Sequence, residues 1–265
     1  YNGKYEEWSG NGKIRYDLNF EEGVLVGEYK YYFYTGKMSY NGMLQNGFKI
    51  GEWLTYFDEG NVKYKEIYTI EDSTFYSFGS NYYNSSAENV TYYHTLNSCY
   101  SMQYYPTGEL AAEGKILRNA RNGLWKFYDE GGKLMKQINY DYKKIPVTKS
   151  NGKTDALLTY GYYESWGADG KKESEAYVLS ETSKFDCYQE VSVMFQDLYY
   201  INFWDKDGNQ TLKDKTGRIK TYHSVSGKTE SEGEMQNGLR TGYWRFYDPE
   251  GKLHEVGNYK EGERD

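Results

Sequence analysis

The sequence predicts an all-β protein, an elongated antiparallel β-meander built from tandem hairpins. Three observations predict it: an aromatic–glycine module that recurs along the chain, turn sequences at fixed offsets from that module, and a composition rich in tyrosine and poor in proline.

The module is clearest at Gly51-Glu52-Trp53-Leu54-Thr55-Tyr56, with Gly60 beyond it, and at Gly242-Tyr243-Trp244-Arg245-Phe246-Tyr247, with Gly251 beyond it. Both read glycine, any residue, aromatic, two residues, aromatic, then a glycine seven positions after the first aromatic. The same spacing recurs at Gly3/Tyr5/Trp8/Gly12, Gly27/Tyr29/Tyr32/Gly36, Gly123/Trp125/Tyr128/Gly132 and Gly161/Tyr163/Trp166/Gly170. Looser copies stand at Ser101/Tyr104/Gly108, Ile201/Trp204/Gly208 and Gly217/Ile219/Tyr222/Gly227, the last with one extra residue before its turn. Tyr5, Tyr29 and Trp53 are 24 residues apart, and Ser101 and Trp125 keep that register. A repeat of this length means small supersecondary units that are stable only through their neighbours.

Each unit reads as strand, turn, strand, turn. The first turn carries Asp/Glu/Asn-Gly-Lys sequences, as at Asp129-Glu130-Gly131-Gly132-Lys133, where glycine supplies a positive φ. The return strand alternates, as in Lys252-Leu253-His254-Glu255-Val256. The second turn is a two-residue Asn-Gly hairpin at Asn46-Gly47 and Asn237-Gly238. A packing role is expected for the leading glycine. Two residues before the aromatic, it leaves a flat space on the same face, which a ring from the next hairpin would cover.

Composition agrees. The chain has 33 Tyr, 11 Phe and 6 Trp in 265 residues, so its apolar surface suits half-buried positions rather than a thick core. With 29 Gly and only 3 Pro, tight turns between paired strands are favoured over linkers or collagen-like segments. The net charge of −7, without a lysine or arginine cluster, argues against a nucleic-acid partner. No apolar run is long enough for a transmembrane helix. Cys99 and Cys187 lack metal-type spacing, and free thiols or one disulfide both remain open. The chain opens at Tyr1 without a methionine, which fits a removed leader and favours an exported or cell-envelope protein.

The Gly-x-Trp/Tyr-x-x-Tyr runs and Asn-Gly turns resemble the MORN repeat, in the bacterial variant found in proteins labelled as antitoxin components. The resemblance leaves out residues 68–100 and 172–200. It implies an elongated β-sheet that contacts other proteins or membranes, without naming the partner. The expected organisation is repeats over 1–67, an irregular or eroded repeat over 68–100, repeats over 101–145, and looser repeats over 146–265.

Candidate chemistry is sparse. His94, His223 and His254 fall at different phases of the module and share no site. Asp205-Lys206-Asp207-Gly208 resembles the start of a calcium loop, yet Gln210 and Thr216 stand where an EF-hand needs glycine and glutamate, and the module puts a hairpin turn there. Three sequons, at Asn84, Asn89 and Asn209, carry no weight without a secretory route. No phosphate loop, nucleophile elbow or cofactor fingerprint is present. The expected function is therefore a non-enzymatic scaffold holding a protein partner, with peripheral envelope contact as a variant. Carbohydrate binding through exposed rings, or hydrolysis by paired carboxylates, are the alternatives. The partner-facing candidates are Tyr76, Phe78, Tyr82, Tyr83, Tyr92 and Tyr93, where tyrosine mixes with serine and asparagine as in adaptable binding loops. The competing reading packs these rings on the sheet as an eroded repeat. The elongated meander makes one measurable claim: small-angle scattering gives a radius of gyration above the roughly 18 Å of a compact chain this long. A value at or below that removes the elongated reading.

Overall fold

The computed structural model describes residues 1–69, 76–77, 93–94, 98–117, 120–148, 154–167, 169–181, 195–223 and 226–265. These residues form antiparallel strands and tight turns, with no helix among them. The chain divides into two compact units, Tyr1–Asn122 with Glu130–Gly132, and Gly123–Asp129 with Lys133–Asp265.

In the first unit, β1 (Gly3–Trp8), β2 (Ile14–Glu21), β3 (Val24–Tyr32), β4 (Met38–Gln45), β5 (Phe48–Tyr56) and β6 (Val62–Thr69) pair in chain order. The strands β7 (Tyr76–Ser77) and β8 (Tyr93–His94) pair only with each other. β6 then pairs directly with β9 (Ser98–Tyr104), which pairs with β10 (Leu110–Leu117). Residues 70–97 thus enter between two strands that are neighbours. In the second unit, β11 (Ala120–Tyr128), β12 (Leu134–Thr148), β13 (Thr154–Trp166), β14 (Lys172–Glu181) and β15 (Phe195–Trp204) form one run. β16 (Gln210–Lys213), β17 (Thr216–Tyr222), β18 (Thr229–Gln236), β19 (Leu239–Tyr247), β20 (Leu253–Lys260) and β21 (Glu263–Arg264) continue it, again in chain order. Neighbour-only pairing is what short hairpin connections impose.

Two kinds of turn alternate. At Asn46-Gly47 both residues have positive φ (50° and 80°), and Asn237-Gly238 repeats this (52° and 78°), the two-residue type I′ loop that matches strand twist. Glu22-Gly23, Asp214-Lys215 and Glu261-Gly262 adopt the same geometry without the Asn-Gly sequence. The other kind is a type I turn closed by a glycine, as where Gly60 N–H donates to the Phe57 carbonyl and Phe57 N–H to that of Asn61. Asp205 through Gly208 is one of these. Its Asp205 carboxylate accepts from the N–H groups of Asp207 and Asn209, so the acidic stretch forms a hairpin turn.

Turns also bond to turns. Gly47 N–H donates to the Leu25 carbonyl, Gly238 N–H to that of Lys215, and Gly262 N–H to that of Arg240. On the opposite edge the residue after the turn glycine reaches the following turn. Lys13 Nζ donates to the Thr35 carbonyl, Lys37 Nζ to that of Asp58 (3.0 Å), Asn61 to that of Pro106 (2.8 Å), and Lys228 Nζ to that of Glu250 (2.6 Å). At Gly12-Lys13, Gly36-Lys37 and Gly227-Lys228 the Gly-Lys sequence of the module therefore supplies an inter-hairpin hydrogen bond.

The tryptophan-centred core of each unit lies on one face, and in the second unit Ile145 and Tyr199 form a separate buried cluster with Tyr177, Leu179 and Leu239. Trp53, Glu66, Ser101 and Gly114 are consecutive partners across β5, β6, β9 and β10. Trp125, Ile138, Tyr163, Ala176 and Tyr200 form a like row across β11 to β15. Trp53, Trp125 and Trp244 are almost wholly buried, at 1%, 0% and 2% exposure. Each such ring removes about 150–250 Å² from water, roughly 4–6 kcal/mol at 25 cal/mol/Å² before the entropy of ordering.

The expected packing role of the leading glycine is corrected here. Nothing lies within 4 Å of a Cβ built at Gly51, Gly123 or Gly242. Their φ values of 63°, 64° and 61° show why they are glycine. In β4–β5, three residues, Gly51 to Trp53, stand against Gly42 alone, and Gly242 to Trp244 stand likewise against Gly233. This bulge swings the indole back over the preceding strand. A Cβ at Gly42 would fall inside the Trp53 ring, and one at Gly233 inside that of Trp244. The flat space exists, eleven residues before the tryptophan rather than two. Two glycine classes therefore separate by urea denaturation. Gly42→Ala and Gly233→Ala lose about 1–3 kcal/mol by overpacking. Gly51→Val loses a comparable amount through left-handed strain, whereas Gly51→Asn loses only a fraction of it, because asparagine tolerates that region. Equal losses for Asn and Val at position 51 would refute the backbone explanation.

Candidate functional site

The most densely functionalised cluster in the first unit surrounds Trp53. Its Nε1 donates to the Met43 carbonyl (3.1 Å), and Tyr29, Tyr40 and Tyr68 pack around the ring with centroids 5.6, 4.9 and 6.5 Å away. Lys49 Nζ sits 4.9–5.0 Å from the Tyr40, Trp53 and Tyr68 centroids and 3.9 Å from the buried Glu66 carboxylate. Tyr68 donates to Glu66 (3.0 Å), and burial, then the Glu66 charge, pushes its hydroxyl well above the ordinary phenol range. The second unit repeats the plan. Trp244 Nε1 donates to the Glu234 carbonyl (3.0 Å), Tyr259 packs 6.4 Å away, and the Arg240 guanidinium lies 4.9, 5.3 and 5.6 Å from Trp244, Phe246 and Tyr259. Lys49, Arg121 and Arg240 all stand four residues before a buried tryptophan, and Tyr68, Tyr140 and Tyr259 fifteen after it. A cation held over rings contributes about 0.5–2 kcal/mol. These groups brace the repeat, and the sequence reading missed them because they are visible only once the three tryptophans are aligned.

A pair of carboxylates does occur. Glu164 and Glu175 are direct partners on β13 and β14, and Lys172 Nζ bridges them, 2.6 Å from Glu164. Gln137 donates to Glu164, and Asn202 to Glu175 (2.6 Å). Burial pushes the Glu175 carboxyl up, but Lys172 and Asn202 outweigh it and leave it below the usual carboxylate range. An acid–base pair needs one carboxyl held protonated near neutrality. Glu175 is driven the other way, and its neighbours form a hydrogen-bonded row across four strands. Next to it, burial and the two carboxylate charges push Tyr162 up to about 12.

The side of the first unit opposite Trp53 is different. Glu52, Ile67, Tyr100 and Lys115 are successive partners across β5, β6, β9 and β10, beside the row Leu54, Lys65, Met102 and Glu113. Ile67 and Tyr100 are 37% and 42% exposed, with Met43 at 43% on β4. Around them Lys65 pairs with Glu52, and the Tyr100 hydroxyl donates to Glu113 (3.0 Å). Burial, then Glu113, pushes Tyr100 up to about 12. The result is an apolar strip with a charged rim, the general anatomy of a protein-contact patch.

Of the sequence-derived candidates, Phe78, Tyr82, Tyr83 and Tyr92 lie outside the described residues, as does Cys187. Tyr76 and Tyr93 are described by backbone alone, as partners of His94 and Ser77 in the β7–β8 pair. Cys99 is buried on β9. His223 Nε2 lies 2.8 Å from the Tyr247 carbonyl, and His254 is exposed on β20. Among the described residues no cluster of histidine, cysteine and carboxylate side chains has the arrangement of a metal site.

Raised tyrosines give a direct check. With tyrosine ring carbons labelled, Tyr100 and Tyr162 are expected to titrate near pH 12, about two units above free phenol. The unfolded chain ionises first, so these two groups destabilise the fold as pH rises from about 10 towards 12 and have no effect below. A midpoint near 10 for either contradicts its packing.

Among curated proteins none matches the chain. Among solved structures, a chain of the "Crystal Structure of TcdB2-TccC3" matches with 12% identity and a TM-score of 0.17, over 96% of this chain and 14% of that one. The chain thus spans a small part of that relative. The family model described as MORN repeat variant matches residues 49–69, 121–142 and 240–261. Each match holds one of the buried tryptophans, Trp53, Trp125 and Trp244. At these three places the chain carries the MORN repeat variant.

Proposed function

We propose that the protein is a non-enzymatic repeat scaffold that holds a protein partner on the solvent-facing side of its first unit. The observation carrying this reading is the direct pairing of β6 with β9, which brackets residues 70–97 in sequence. At β2–β3 and β4–β5 the corresponding ends are joined by two residues, Glu22-Gly23 and Asn46-Gly47. Between Thr69 and Ser98, which are paired to each other, the connection carries 70–97 instead. It leaves beside the exposed Ile67 and Tyr100 and contains Tyr76, Phe78, Tyr82, Tyr83, Tyr92 and Tyr93. Long connections on a rigid scaffold are the usual seat of recognition, and aromatic anchors dominate such contacts. The matched repeats support a binding role in general; the protein partner and its place on the first unit are our inference.

Affinity capture from the native source with the full chain tests it. Changing Tyr82, Tyr83, Tyr92 and Tyr93 together to serine is expected to abolish partner capture and leave the melting temperature nearly unchanged. Ile67→Ser with Tyr100→Ser should weaken the same capture. If the four-tyrosine variant melts far below the parent, those rings belong to the sheet packing. If both variants capture normally, the partner sits elsewhere and the proposal fails.

A further inference from the structure

At one turn of the second unit the residue after the turn glycine does not reach forward to the following turn. After the turn glycines Gly12, Gly36, Gly60 and Gly227, the next side chain reaches forward to the following turn. After Gly208 that residue is Asn209, and its amide turns back to Asp205 of its own turn (3.3 and 3.1 Å). The following turn is the one with an extra residue, so Gly227 N–H closes onto the His223 carbonyl, one residue further back than elsewhere. Here a groove of about 550 Å³ opens, lined by Lys206, Lys220, Lys228, Tyr222, Tyr247 and Glu250 among others.

The groove's charge is unbalanced. Lys206 Nζ lies 4.0 Å from the Tyr222 ring centroid, and no carboxylate among the described residues is within ion-pair distance of it. Lys228 is held by a neutral acceptor, the Glu250 carbonyl (2.6 Å). Lys220 reaches Glu232 (3.4 Å), but that carboxylate already serves Arg245 (3.6 Å) and the Tyr247 hydroxyl (2.8 Å). Three lysines therefore line one concavity against two carboxylates, that of Glu250 in the lining and that of Glu232 on Lys220, so positive charge is in excess there in a chain whose net charge is −7. Lysine is a point charge suited to a compact oxyanion, and a phosphate monoester carries about −1.5 to −2 at neutral pH, enough to meet several ammonium groups at once. The rings of Tyr222 and Tyr247 supply an apolar wall, and the volume falls in the usual range for small-molecule sites.

We propose that this groove binds a small ligand bearing a phosphate monoester, the ester oxyanion at Lys206, Lys220 and Lys228 and its carbon portion against the two tyrosine rings. The site is independent of the partner-holding surface of the first unit. Calorimetric titration of the full chain with phenyl phosphate is expected to give saturable one-to-one binding, with inorganic phosphate weaker for want of a ring. Lys206→Ser and Lys220→Ser should each lower affinity about tenfold or more. Lys144→Ser, which removes the same charge from an exposed position of the same unit away from the groove, should not. Should Lys220→Ser fail to fold, Lys206→Ser still decides, since Lys206 packs against the Tyr222 ring and holds no ion pair among the described residues. Sedimentation with phosphatidic acid vesicles, sensitive to the same variants, would assign the monoester to a lipid headgroup. Binding of phenyl phosphate without the vesicles would assign it to a soluble ligand. No saturable binding, or equal loss from Lys144→Ser, overturns the proposal.

Discussion

The indole of a tryptophan lying flat on the backbone of a glycine in the preceding strand is the contact around which the repeats are organised. Trp53 covers Gly42 and Trp244 covers Gly233, with each Nε1 donating to the carbonyl one residue beyond the glycine. A thin sheet has no deep interior in which to hide an indole. The ring can lose its water only if a neighbour has no side chain at all. The bulge that brings it there requires a second glycine at positive φ, so each unit needs two glycines for two different reasons.

Much of the remaining structure follows from seating that ring. The cation four residues earlier lies over the indole, and the tyrosine fifteen residues later closes its edge, in Lys49/Tyr68 and again in Arg240/Tyr259. Turn-to-turn hydrogen bonds fix the spacing of successive hairpins at both edges. The array is a sum of neighbour contacts rather than one core, which is how repeat proteins distribute stability. A local departure is therefore tolerated. The 70–97 connection between β6 and β9 and the longer turn before Gly227 both interrupt the pattern while strand pairing continues on either side.

Those departures are where ligand-facing chemistry is concentrated in our reading. Regular positions commit their polar groups to the repeat: Lys37 to the Asp58 carbonyl, Glu175 to Lys172 and Asn202. Where the register breaks, groups are left over. Ile67 and Tyr100 stay exposed at the base of one insertion, and Lys206 lacks a carboxylate at the other among the described residues. A scaffold of this kind gains specificity by disturbing a repeat locally, since the regular positions are occupied with holding neighbours together.

The sequence alone determined the fold class, the hairpin meander and the turn chemistry. Each follows from local rules: alternation, the positive φ of Asn-Gly, and a fixed aromatic–glycine spacing. The resemblance to the MORN variant was legible for the same reason, because its matched positions are the scaffold. Tertiary structure alone decided which glycine lies beneath which ring, since that contact joins residues eleven apart through a bulge whose extra residues cannot be counted from spacing. It also decided that β6 and β9 are neighbours, which turns residues 70–97 from a stretch of irregular sequence into a connection rooted beside Ile67 and Tyr100. The groove near Lys206 was foreshadowed only by one extra residue before Gly227. Its charge emerged when the chain placed Lys206, Lys220 and Lys228, from three separate segments, around one concavity. Local pattern fixes which residues form a repeat; only packing across strands fixes which side chains the repeat leaves unoccupied.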